Sequence, residues 1–158
     1  MVLDFGCGSG VLFRDSLRLF DRVIGVDLVL AGAKVLVDEL ALERVELMSP
    51  EYAATKVPEA SIDVIVAAEV LEHVEDLSPT LVQFRKWLKP GGRLLVSLPT
   101  ENDLYRLGRK LAGFSGHYHH SNAASIDRRI VGFGFHGQKK SQIPAPGPLS
   151  IYWVLEYT

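Results

Sequence analysis

The stretch Val2-Leu3-Asp4-Phe5-Gly6-Cys7-Gly8-Ser9-Gly10 decides how this chain is read. A short apolar strand runs into three glycines set at alternate positions. Glycine has no Cβ, so the backbone here turns tightly and a ligand comes close to it. From Val11 to Phe20 the pattern becomes helical, with Phe13, Leu17 and Phe20 on one face. A helix at that place aims its N-terminal amides at whatever the glycines hold. Strand, glycine loop and helix together read as the first unit of an open α/β sheet, whose ligands sit at the carboxyl ends of the strands.

Outward from this unit the alternation continues. Arg22 to Asp27 is a second apolar strand, and a helix follows with Val29, Ala33, Leu36 and Leu40 on one face. Val45 to Met48 is a third strand, followed by a loop with a short helix around Tyr52 to Thr55. Ile62 to Val66 is a fourth strand. The next helix is predicted to open at Ser78-Pro79, with Ser78 as its cap and Pro79 in its first turn. Leu81, Phe84 and Leu88 give that helix its apolar face, and Lys89-Pro90-Gly91-Gly92 ends it. Arg93 to Leu98 is a fifth strand. Helices are predicted across Asp103 to Ala112 and from a Ser121 cap to Val131. Two last strands, near Lys139 to Ile143 and Ile151 to Tyr157, are joined by Pro144-Ala145-Pro146-Gly147-Pro148. That link is too short for a crossover helix, so the final pair is an antiparallel hairpin. The expected fold class is α/β: a doubly wound, mostly parallel seven-stranded sheet covered on both faces and ending in an antiparallel hairpin.

The totals narrow the function. The 158 residues amount to one domain, 1–158. Hydrophobic residues make up 47% and charged residues 23%, which supports a packed core and argues against a disordered chain. The formal net charge of −2 supplies no global field for nucleic acid. The single cysteine, Cys7, makes neither an internal disulfide nor a structural zinc site, and a reducing cytoplasm fits. No apolar run reaches the roughly 18 residues of a membrane span. The start carries no basic segment or long apolar stretch of a secretory signal.

Asp27 ends the second strand about 20 residues beyond the glycines, a spacing at which a carboxylate accepts hydrogen bonds from both hydroxyls of a ribose. A dinucleotide fingerprint needs its third glycine at position 11, which is Val11; here it is Gly10. Asp4 lies just before the loop. A carboxylate there repels a pyrophosphate and attracts a sulfonium or an ammonium. A ligand-free turn and a nicotinamide or flavin dinucleotide are the competing readings.

These motifs resemble those of class I methyltransferases that use S-adenosylmethionine (SAM), in the small-molecule type that includes ubiquinone-biosynthesis O-methyltransferases. The resemblance runs from Val2 to about Gly134. It rests on the glycine loop, on Gly25-Val26-Asp27, on Ser61 through Val74 around the fourth strand, and on Leu88-Lys89-Pro90-Gly91-Gly92-Arg93-Leu94. It implies that Asp4, Gly6, Cys7, Gly8 and Gly10 hold the methionine part of SAM and that Asp27, with Leu28 beside it, holds the ribose. Where the family usually carries Gly-Asp-Ala, this chain has Glu51, so Glu51 and neighbouring Tyr52 stand as adenine contacts. The amino group of SAM falls to Glu69 or to backbone carbonyls near Ala67. The family usually has a helical segment before the first strand, whereas Met1 here directly precedes it. The domain is therefore expected to lack the usual N-terminal cover, and a second subunit is one way to close the site.

The implied reaction is methyl transfer to an unidentified small molecule, with S-adenosylhomocysteine as product. Its counterpart is a SAM-binding or degenerate domain without turnover. His73, after the fourth strand, is the first candidate base; its rival role is to fix the loop by hydrogen bonding. His117 and His119, in Gly116-His117-Tyr118-His119-His120, are candidate substrate contacts. No further histidine or cysteine completes a metal site with them by spacing. The fourth strand is not followed by the Pro-Pro-aromatic motif of enzymes that methylate amino groups of adenine or glutamine, nor does the chain hold a Pro-Cys nucleophile. It has no basic, aromatic-laced stretch for RNA. The expected partner is a small-molecule substrate, with no nucleic acid, no membrane, and a homo-oligomer left open.

Overall fold

The computed structural model describes residues 1–100, 102 and 123–158. In chain order the elements are β1 (Val2–Phe5), α1 (Phe13–Leu19), β2 (Val23–Val26), α2 (Ala31–Glu39), β3 (Val45–Met48) and α3 (Pro50–Lys56). They continue with β4 (Ile62–Ala68), α4 (Leu77–Trp87), β5 (Leu88–Pro99), α5 (Ala123–Gly132), β6 (Gly137–Ile143) and β7 (Tyr152–Tyr157). The sheet order is β3-β2-β1-β4-β5-β7-β6. The pairs β1–β2, β1–β4, β2–β3 and β4–β5 are parallel, and β7 is antiparallel to both β5 and β6. This is the doubly wound sheet and closing hairpin expected from the sequence. The order reverses between β1 and β4, which places the switch point beside the loop that leaves β1.

Two apolar cores flank the sheet. Val2, Cys7, Phe13, Val23 and Ala33 join α1 and α2 to one face, with Val64 and Val66 of β4 at the margin. On the other face Leu3, Ile24, Ile65, Leu94 and Val96 pack with Leu81, Phe84 and Trp87 of α4 and Ile126 and Ile130 of α5. Inner parallel strands are buried on both sides, which is why β2 reads as an unbroken apolar run. Leu95 of β5 and Val154 of β7 belong to neither core, and Val154 is 38% exposed.

Element ends differ from the sequence reading where tertiary contacts intervene. Asp76, not Ser78, caps α4; its carboxylate accepts the Ser78 N–H at 2.9 Å. The start shifts because Leu77 is drawn into the core as the first helical residue. The helix ends at Trp87, and Leu88 already pairs with Ile62, so Lys89 to Gly92 form an irregularity inside the strand pairing. Val29 stays outside α2 and is exposed, leaving Ala33 as the buried residue of that helix. The predicted helix over Asp103 to Ala112 and the Ser121 cap lie outside the described residues.

Candidate functional site

The glycine loop is tied to the end of β2. Gly6 N–H and Cys7 N–H both donate to the Val26 carbonyl, at 2.7 and 3.2 Å, and Gly10 N–H donates to the Cys7 carbonyl at 2.8 Å. At Gly10 the backbone has φ +83°, and an added Cβ would lie 2.4 Å from the Phe13 ring. Gly8 differs from it. Its φ is +53°, and nothing stands within 4 Å of where its Cβ would be. Packing therefore requires Gly10, while the bare side of Gly8 is open to a ligand. The Cys7 thiol faces the core, and burial, with the charges of Asp4 and Asp27 adding, pushes its pKa up to about 12. Cys7 thus offers its backbone to the site and not its sulfur.

Two carboxylates face this loop from different environments. Asp4, in β1, is 3% exposed, and its carboxyl has no hydrogen-bond donor among the described residues. Burial, and then the charge of Asp27, raise its pKa from 3.8 to about 6. Asp27 follows β2 and is half-buried. Its Oδ2 accepts the Gly8 N–H at 2.7 Å and its Oδ1 accepts the Val29 N–H at 3.0 Å.

Beside them opens a cleft of about 240 Å³ lined by Phe5, Gly6, Val26, Asp27, Leu28, Pro50, Val70 and Val74. Gly6, Asp27 and Leu28, singled out in the sequence, are in this wall. Glu51 and Tyr52 sit in the first turn of α3 and do not line it; the adjoining Pro50 does. Ser49 positions that turn by accepting the Tyr52 N–H at 3.2 Å. Phe5, Val26, Pro50, Val70 and Val74 escaped the sequence reading, because an apolar residue at a strand end carries the same signal as one in the core. The nearest available clue was position: Val26 and Pro50 flank residues singled out for chemistry.

At the end of β4 the Ala67 side chain is buried in the larger core, so only its backbone is available. Glu69 adopts φ +53°, a left-handed conformation uncommon outside glycine and associated with functional sites. Its N–H donates to the Ser97 carbonyl at 3.0 Å, and its carboxylate accepts the Tyr152 hydroxyl at 3.4 Å. His73 ends the short turn Leu71–His73 with an exposed side chain, between the cleft-lining Val70 and Val74. His117 and His119 lie outside the described residues. Among the described residues no cluster of three or more His, Cys, Asp or Glu is placed to hold a metal ion.

A larger hollow of about 430 Å³ lies near the start of β5, lined in part by Arg85, Lys86 and Lys89. Arg85 donates to the Gly134 carbonyl at 2.8 Å and Lys89 pairs with Asp63 at 2.7 Å. Arg85 and Lys86 sit in the last turn of α4, where cations offset the negative end of the helix dipole. The conformational and electrostatic features needed for chemistry gather at the glycine loop instead.

Comparison with known proteins gives the family and the fold. A family model described as a methyltransferase domain matches residues 1–139. A ubiquinone biosynthesis O-methyltransferase of Bradyrhizobium sp. (strain ORS 278) is 35% identical over 105 residues, covering 64% of this chain and 40% of that protein. The chain thus spans about 40% of the length of the curated relatives it matches. A SAM-dependent methyltransferase from Aquifex aeolicus superposes with TM-score 0.79 at 15% identity, covering 99% of this chain and 80% of that one. A 1,6-didemethyltoxoflavin-N1-methyltransferase from Burkholderia thailandensis, solved with 1,6-didemethyltoxoflavin and S-adenosylhomocysteine bound, gives TM-score 0.72 at 22% identity over 99% and 69%. At these identities the structural likeness speaks for the fold alone.

Proposed function

We propose, from the premise that this chain belongs to the methyltransferase domain family, that it binds SAM at the glycine loop and transfers the methyl group to a small-molecule acceptor, leaving S-adenosylhomocysteine. The observation that carries this reading is Asp4, a buried carboxylate with no donor among the described residues, set just before a loop with an open glycine. Such a charge is unfavourable until a cation meets it. The sulfonium and ammonium of SAM are cations of the right kind, whereas a pyrophosphate is not.

The other residues fit the rest of the cofactor. A carboxylate has about four acceptor positions, and Asp27 uses two of them, which leaves two for the ribose hydroxyls. Phe5, Val26, Leu28 and Pro50 make apolar walls suited to a flat base. Glu51 and Tyr52, one and two residues past Pro50, are the candidates for the polar edge of adenine. Gly6, Cys7, Gly8 and Gly10 offer backbone to the methionine part, and Glu69 or the Ala67 carbonyl is assigned to its amino group.

When bound, SAM supplies a methyl group that is already activated. The protein's work is then positioning and the exclusion of water. His73 at the cleft rim is the candidate that takes the acceptor's proton, with His117 and His119 on the acceptor side by their place in the sequence. No helix among the described residues is long and apolar enough to cross a membrane. The buried thiol of Cys7 agrees with a reducing, cytoplasmic setting.

Calorimetric titration with SAM and S-adenosylhomocysteine tests the reading. Both should bind, and Asp27→Ala should weaken them by about 1–3 kcal/mol through lost charge-assisted hydrogen bonds. Binding of a nicotinamide dinucleotide with no response to either adenosyl compound would overturn it.

A further inference from the structure

We propose that Asp27 clamps the glycine loop in its binding shape before any ligand arrives, in addition to contacting the ribose. This inference rests on the cofactor reading above only in treating that loop as the binding element.

The walls of the loop explain Gly10 but not Gly8. Gly10 is confined by the Phe13 ring, and Gly6 by Val70, whose Cγ2 lies 2.4 Å from a would-be Cβ. No side chain packs where a Gly8 Cβ would stand, and a glycine free of such packing explores both signs of φ unless hydrogen bonds fix it. Two bonds hold it at φ +53°: Gly10 N–H to the Cys7 carbonyl at 2.8 Å, which closes the turn around Gly8, and its own N–H to Asp27 Oδ2, at 2.7 Å across 19 residues. That length is typical of a charge-assisted hydrogen bond.

The second oxygen does the same on the opposite side. Asp27 Oδ1 accepts the Val29 N–H two residues on, closing a local turn just ahead of α2. Leu28 lies inside that turn. It is 81% exposed, so packing does not hold it, yet it lines the cleft. One carboxylate therefore orders the loop after β1 and the loop after β2 together. Asparagine cannot replace it fully, because its amide offers one acceptor oxygen and two donors.

Amide hydrogen exchange on the ligand-free protein tests the clamp without any cofactor. Asp27→Ala should speed exchange at both Gly8 and Val29 at least tenfold, and Asp27→Asn at one of the two, with Gly25 inside β2 unchanged. Unchanged exchange at Gly8 and Val29 in Asp27→Ala would overturn the proposal. A second arm compares S-adenosylhomocysteine with its 2′,3′-dideoxy analogue, which lacks the ribose hydroxyls. The clamp requires Asp27→Ala to weaken both ligands; a loss confined to the hydroxyl-bearing one reduces Asp27 to a ribose contact and refutes it. If exchange responds but neither adenosyl compound binds the wild type, the clamp stands and the cofactor assignment fails.

Discussion

Replacing Asp4 with asparagine should remove a pH dependence of folding. Asp4 is 3% exposed, and its pKa rises from 3.8 to about 6 on folding. As pH climbs through that interval the unfolded chain gives up the proton before the folded one does, so folding becomes less favourable. Near pH 4 the penalty is small, and above about pH 6 it is fully developed. Two units at about 1.4 kcal/mol each amount to roughly 3 kcal/mol, and burial this deep leaves little solvent screening to reduce it. Urea unfolding of ligand-free wild type and Asp4→Asn at pH 4 and pH 7 isolates the effect, since the other titrating groups are common to both. Wild type should lose about 3 kcal/mol relative to the variant across the interval. Saturating SAM should shrink that loss by holding Asp4 ionised. A stability gap that stays constant with pH would refute the claim that Asp4 carries a strained charge.

Gly10→Ala should destabilise the fold by about 2–4 kcal/mol, from overpacking against Phe13 and a left-handed backbone, read as a drop in urea midpoint at constant m. Ser49→Ala removes the cap that seats Pro50 at the cleft and should cost about 1 kcal/mol by thermal melting. His73→Ala should lower turnover more than SAM affinity, measured as S-adenosylhomocysteine release against calorimetric Kd; equal losses in both would assign His73 to the loop's structure.

The architecture was legible because period and punctuation agree along most of the chain. The strand-glycine-helix unit at 2–20, the buried run of β2 and the Pro/Gly link before β7 each carry a local signal that the fold obeys. Ends were less legible. Ser78-Pro79 has every local mark of a helix start, yet Asp76 caps the helix because Leu77 gains more from burial than a later start would give. In the site, residues with polar chemistry stood out in the sequence, as Asp4 and Asp27 did. The cleft's apolar walls did not, since Phe5, Val70 and Val74 become a surface only when strands from distant parts of the chain meet. The dual engagement of Asp27 was hidden for the same reason: it depends on where Gly8 and Val29 point, which the spacing of the residues does not reveal.

Phe13 links these levels. Its fully buried ring lies 2.4 Å from a Cβ added at Gly10 and 2.6 Å from one added at Gly25, so one benzene ring occupies the volume that two side chains would claim. Positions 10, 13 and 25 therefore share one volume. A smaller residue at position 13 would free space beside Gly25, whereas Gly10 stays bound to glycine by its left-handed backbone as well.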